Sequence, residues 1–173
     1  MTNEITVSTL KRTIPAVMIA GLMLFVVTWM LPGLSVAQGT PGDQPQLVHA
    51  VQSKKSFPET LKTFKEEVSK AGWSLLNINN MAGVLSERGF TLHPVVIIDV
   101  CSGKHSVRIL SNDDYRPFSA FMPWRVSIYQ TSDGRVFIAR MNAGAVAKMM
   151  LAEVAKVMLA SDKEIAEIIA NTV

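Results

Sequence analysis

The sequence predicts an α+β fold: a two-layer sandwich with helices on one face of a mostly antiparallel sheet, preceded by an N-terminal signal peptide or single membrane anchor. Helical and strand-like segments alternate early and a hairpin comes late, an order that suits helices packed on an antiparallel sheet. The run Val95, Val96, Ile97, Ile98 ahead of Asp99 and Val100 marks a central strand, and its β-branched density predicts burial on both faces. Ahead of the domain, the 30 residues between Arg12 and Asp43 carry no charge.

That uncharged segment has separable parts. Residues 1–12 are polar and end in Lys11-Arg12, residues 14–31 are apolar, and Pro32-Gly33 breaks the helix beyond them. Ser35 and Ala37 supply the small side chains that signal peptidase reads, which places cleavage before Gln38. The alternative is a retained anchor, because about 18 apolar residues lie at the lower end of what spans a hydrocarbon core. Lys11-Arg12 would then stay inside by the positive-inside rule. Both readings deliver the domain to the periplasm or another extracytoplasmic space, with membrane contact confined to residues 14–31. The organisation is therefore a leader over 1–37, a flexible linker over 38–46 with two Pro and two Gly, and one domain over 47–173.

Within the domain, residues 47–53 alternate as a first strand. Ser56 and Glu59 form a capping box, Pro58 sits in the first turn, and Leu61, Phe64, Val68 and Ala71 recur at helical spacing until Gly72. Residues 73–78 read as a second strand and 81–88 as a short helix stopped by Gly89. After the central strand, residues 105–110 predict one or two helical turns and 113–123 an irregular connection. Residues 125–130 and 135–140 are strands joined at Thr131-Ser132-Asp133-Gly134, where Asp-Gly supplies the positive φ of a tight hairpin. Residues 143–160 predict a long helix, ended at Ser161 by a new capping box with Glu164, before a last short helix carrying Ile165, Ile168 and Ile169.

The helix over 143–160 holds Lys148, Glu153 and Lys156 as its charges, so Val146, Met149, Met150, Leu151, Val154, Val157 and Met158 exceed an ordinary apolar stripe. One reading buries the excess against a second copy by two-fold symmetry, the other within the fold itself. Setting aside Glu4, Lys11 and Arg12 lowers the whole-chain net charge of +3 to +2, too little to argue for a polyanion, and nucleic acid is not an expected partner. Cys101 is the single cysteine, so no intramolecular disulfide is possible and the fold depends on its core.

At Ile97-Ile98-Asp99-Val100-Cys101, followed by Met122-Pro123-Trp124-Arg125-Val126-Ser127-Ile128-Tyr129, the chain resembles the family called domain of unknown function 302 (DUF302). The resemblance covers about 53–160 and includes a helix ending in Gly72-Trp73 and a Pro-x-Arg entry into the hairpin. It implies a small two-layer α+β domain that pairs as a homodimer, with no activity and no catalytic residue to transfer. The family's pattern places Asn-Pro after the first cysteine and a second cysteine after the later proline. Ser102-Gly103 and Trp124 stand there instead, so a role needing both cysteines does not carry over.

Four side chains make the candidate binding site: Asp99, Cys101, Trp124 and Arg125. Alternation sets Asp99 on the face of Val95 and Ile97, where a covered carboxylate needs a cation, with Arg125 as first partner and Lys104 or Arg108 as alternatives. That pair reads either as a structural ion pair or as the floor of a small-ligand pocket walled by Trp124. Cys101 reads as a core thiol, as half of an intermolecular disulfide, or as a soft metal ligand. In the last case His105 or His93 joins it, and Met122, Met141 or Met149 completes a copper(I)-type set. A nucleophilic role lacks an evident base and orienting partner nearby in sequence. The reading is an exported, non-catalytic, homodimeric domain that binds a small ligand or an envelope partner and needs no cofactor. The alternative is a periplasmic metal or redox accessory protein using Cys101 with His105 or His93 and copper or another soft metal. An enzyme would require a strongly shifted acid or base in a deep cleft.

Overall fold

A computed structural model describes residues 46–173; the expectations for the leader (1–37) and for residues 38–45 of the linker lie outside the described residues. Five strands, β1 (Val48–Ser53), β2 (Ser74–Asn80), β3 (Val95–Cys101), β4 (Trp124–Gln130) and β5 (Val136–Met141), form one antiparallel sheet in the order β1-β5-β4-β3-β2. The helices are α1 (Phe57–Lys70), α2 (Met81–Ser86), α3 (Gly103–Leu110), α4 (Ala143–Ala147) and α5 (Ala152–Thr172), with a 3-10 turn over Arg116–Phe121. The fold is the α+β sandwich that the pattern predicts.

Local chemistry explains the boundaries. The Glu59 carboxylate accepts from the Ser56 N–H at 3.1 Å and the Ser56 hydroxyl at 2.6 Å, which starts α1. Gly72 at φ +71° ends the helix, and the Trp73 N–H returns to the Val68 carbonyl at 3.0 Å. In the hairpin, the Thr131 N–H donates to the Arg135 carbonyl at 2.9 Å while Gly134 takes φ +84°.

Strand alternation divides the sheet into two unlike faces. Val96, Ile98 and Val100 of β3, Val126 and Ile128 of β4, and Val136 and Ile138 of β5 are buried against Phe64 and Val68 of α1 and Val154, Val157 and Ile165 of α5. The opposite face holds Val95, Ile97, Tyr129, Phe137 and Ala139 at half burial, with Tyr129 and Phe137 stacked at 5.5 Å between centroids. The central strand is therefore fully buried on one face, not on both: a β-branched run fixes a strand, but the number of layers decides how many faces are covered.

The C-terminal helices also differ from expectation. The chain makes the short α4, turns at Lys148 to Leu151, and then runs α5 unbroken through Ser161. Asn142 caps α4 through the Gly144 N–H at 3.0 Å, and the extended backbone of Leu151 starts α5. Ser161 does not cap because its small side chain is buried inside α5, and Glu164 is engaged elsewhere. Val146, Val154, Val157 and Met158 are buried in the fold, whereas Met149 and Leu151 of the intervening turn are exposed. The apolar excess thus belongs to two helices with separate faces, and most of it is consumed within the domain.

Candidate functional site

The four predicted site residues fall on two sides of the sheet. Asp99 and Arg125 are cross-strand partners in the β3–β4 register, and the Arg125 Nε donates to Asp99 Oδ1 at 3.2 Å. They belong to the open face, as do Asn77 opposite Asp99 and Ser127 two residues beyond Arg125. Asp99 is buried while the guanidinium reaches solvent. An exposed arginine adds little Coulomb energy, so a double-mutant cycle of Asp99→Asn and Arg125→Gln is expected to give a coupling below about 1 kcal/mol by urea unfolding. A coupling above about 2 kcal/mol would mark the pair as a structural keystone instead.

Trp124 points the other way, into the core, and meets Cys101 where β3 ends. There the chain turns through Ser102 into α3, whose inward side carries His105, Ser106 and Ile109. The Cys101 Sγ lies 2.9 Å from Ser106 Oγ. Between α3, α5 and the start of β4 a small cavity of about 10 Å³ is lined by Cys101, His105, Ser106, Met122, Trp124 and Met158, among others. That is about the space of one water molecule.

His105 is the polar centre of this wall, and it is only 8% exposed. Its Nε2 lies 3.0 Å from Glu164 Oε1, which also receives the Lys104 ammonium at 2.6 Å, and Trp73 Nε1 donates to Glu164 Oε2 at 3.1 Å. Burial alone would raise the Glu164 carboxyl, but hydrogen bonds from Lys104, His105 and Trp73 hold it at about 2 against an ordinary 4.5. An ionised Glu164 accepts, so His105 Nε2 carries the proton and donates. In the neutral ring Nδ1 is then a bare acceptor. That Nδ1 is buried without any hydrogen-bond partner, the one such side-chain nitrogen or oxygen among the described residues.

A folded value below the unfolded one means that Glu164 stabilises the domain fully above pH 4.5 and loses that contribution as pH falls towards 2. The stability gap between the native chain and Glu164→Gln, measured by urea unfolding, is expected to be wide at neutral pH and to narrow across that window. A pH-independent gap would contradict the assignment.

The remaining metal candidates separate. His93 precedes β3 and Cys101 ends it, so six strand steps of about 3.4 Å, about 20 Å in all, keep them apart. Met149 is exposed and Met141 does not line the cavity, whereas Met122 does. Sequence reasoning missed Met158, Ser106 and Glu164. Glu164 carried a capping signal three residues after Ser161, and its contact with His105 across 59 residues left no local trace.

Residues 49–172 match the family model described as Domain of unknown function DUF302. The chain belongs to the DUF302 family. A similar solved structure is the "Crystal structure of uncharacterized conserved protein DUF302 from Bacillus stearothermophilus", 20% identical, covering 75% of this chain and 100% of that one with a TM-score of 0.67. At that identity the likeness speaks for the fold alone. No curated protein matches the chain. Among the described residues of this DUF302 domain, no three His, Cys, Asp or Glu side chains are grouped to hold a metal ion, and no helix is long and apolar enough to cross a membrane.

Proposed function

We propose that this DUF302 chain is an exported, non-catalytic binding domain, working as a homodimer outside the cytoplasm and holding a very small ligand at the end of β3. The observation that carries the reading is the buried, unpartnered His105 Nδ1 in a wall shared with Cys101 and Trp124. A buried polar atom without a partner is costly, and native folds retain one where something else satisfies it. Organic ligands occupy about 300–1,000 Å³, so a cavity near 10 Å³ favours an occupant of atomic size.

A thiol nucleophile is disfavoured because the Cys101 Sγ partners Ser106 and makes no hydrogen bond to the imidazole. Export is supported by the uncharged stretch that follows Lys11-Arg12. Homodimerisation is supported by the half-buried apolar and aromatic open face of the sheet, which a second copy would cover. Native mass spectrometry of the protein recovered from fractionated cells, envelope and cytosol apart, tests export, dimerisation and binding together. A dimer whose mass exceeds that of two polypeptides is expected, with the excess lost in Cys101→Ser. Ligand-free monomer recovered from the cytosol would overturn the reading.

A further inference from the structure

The geometry points to a soft monovalent metal ion, copper(I), as the occupant of the cavity at the end of β3, held by Cys101 Sγ, His105 Nδ1 and the thioethers of Met122 and Met158. The inference rests on the reading of this cavity as the binding site and adds the chemical class of what binds there.

Four residues that carry donors of the right kind line one small cavity: a thiol, two thioethers and an imidazole. Thiolate and thioether sulfur select copper(I), whereas the side-chain oxygens on this wall are serine hydroxyls, with no carboxylate of the kind that calcium or magnesium favours. The cavity's volume is about that of one water molecule, which suits an ion stripped of its hydration shell. The independent sign is His105, 8% exposed, with a nitrogen that meets no partner. Its other nitrogen faces Glu164 at 3.0 Å. Histidines that ligate metals characteristically donate their second N–H to a carboxylate, which fixes tautomer and ring orientation. Lys104 and Trp73 in turn hold the Glu164 carboxylate in place. The imidazole is thus oriented from behind, with its free nitrogen on the buried side, and the Cys101 thiol would exchange its proton for the metal on binding.

The test is anaerobic titration of the purified full-length protein with copper(I) in competition with a chromophoric chelator. One equivalent per chain is expected, with the ultraviolet thiolate-to-copper(I) charge-transfer band. Cys101→Ser should abolish both the stoichiometric binding and the band, and the paired change Met122→Leu with Met158→Leu should weaken binding while circular dichroism confirms a native fold. Glu164→Gln keeps an acceptor beside His105 and is expected to weaken copper(I) about 10–100-fold, the range for a carboxylate behind a ligating histidine. Zinc(II) at equal concentration should not displace copper(I).

Binding that is equal in the native chain and in folded Cys101→Ser, or undiminished by the paired methionine change, would overturn the proposal. A non-metal mass that Cys101→Ser removes would leave the cavity as a binding site and overturn only its assignment to a metal. Neither copper(I) nor any bound mass would overturn both.

Discussion

Phe64→Ala is expected to lower the free energy of unfolding by about 3–5 kcal/mol. Phe64 is fully buried, at 0% exposure, on the inner side of α1, which packs against β2, β4 and α5. Removing the ring deletes apolar contact with both layers at once and leaves a void that α1, pinned by its capping box and by Gly72, cannot collapse to fill. Against a total stability of about 5–15 kcal/mol, the loss should bring the urea midpoint down by a large fraction. Phe64→Leu, which retains most of the volume, should cost under about 1.5 kcal/mol. A loss below about 1 kcal/mol for the alanine variant would mean that α1 is not the keystone of the helical layer.

Asp162→Ala is expected to cost about 3–5 kcal/mol for a different reason. Arg140 lies on the inner face of β5 with its side chain 9% exposed, and its guanidinium is paired to Asp162 of α5 and also donates to the Met141 carbonyl at 3.1 Å. Deleting the carboxylate strands a buried cation. Replacing both partners, Arg140→Met with Asp162→Leu, should recover most of the loss, because a well-packed apolar pair avoids two desolvation penalties. The measurement is urea unfolding of both single variants and the double. A double variant as unstable as Asp162→Ala would show that the cost lies in packing and not in the unpaired charge.

Much of this architecture was legible because it is written locally. Ser56 with Glu59 started a helix, Gly72 stopped it, Asp133-Gly134 turned a hairpin, and the apolar periodicity of Leu61, Phe64 and Val68 chose the buried side. What failed had its cause elsewhere in the chain. Ser161 and Glu164 matched a capping box, but their surroundings, Trp73 and His105 among them, are brought up by tertiary folding, and the helix simply continued. The same limit applied at the site. Asp99 and Arg125 were paired correctly from alternation and hairpin placement, yet alternation also separates them from Trp124, which neighbours Arg125 in sequence and points to the other side of the sheet. Cys101 and His105 are legible as companions, being four residues apart across a turn. Met158 and Glu164 could join them only when α5 crossed beneath α3, and no spacing records a crossing.

The two rims of the sheet are protected unequally. Along β2 the register slips between Leu75 and Asn77, and Asn77, Asn79 and Asn80 crowd that border. A strand arriving there meets an irregular ladder. Along β1, Val48, His49, Ala50, Val51 and Gln52 run without a kink, a proline or a charge, and Val48 and Val51 are exposed. Sheets grow from such margins, and a lone lysine is the usual guard against it. In concentrated stocks, fibrillar or ladder-like association of this domain would begin beside Ala50.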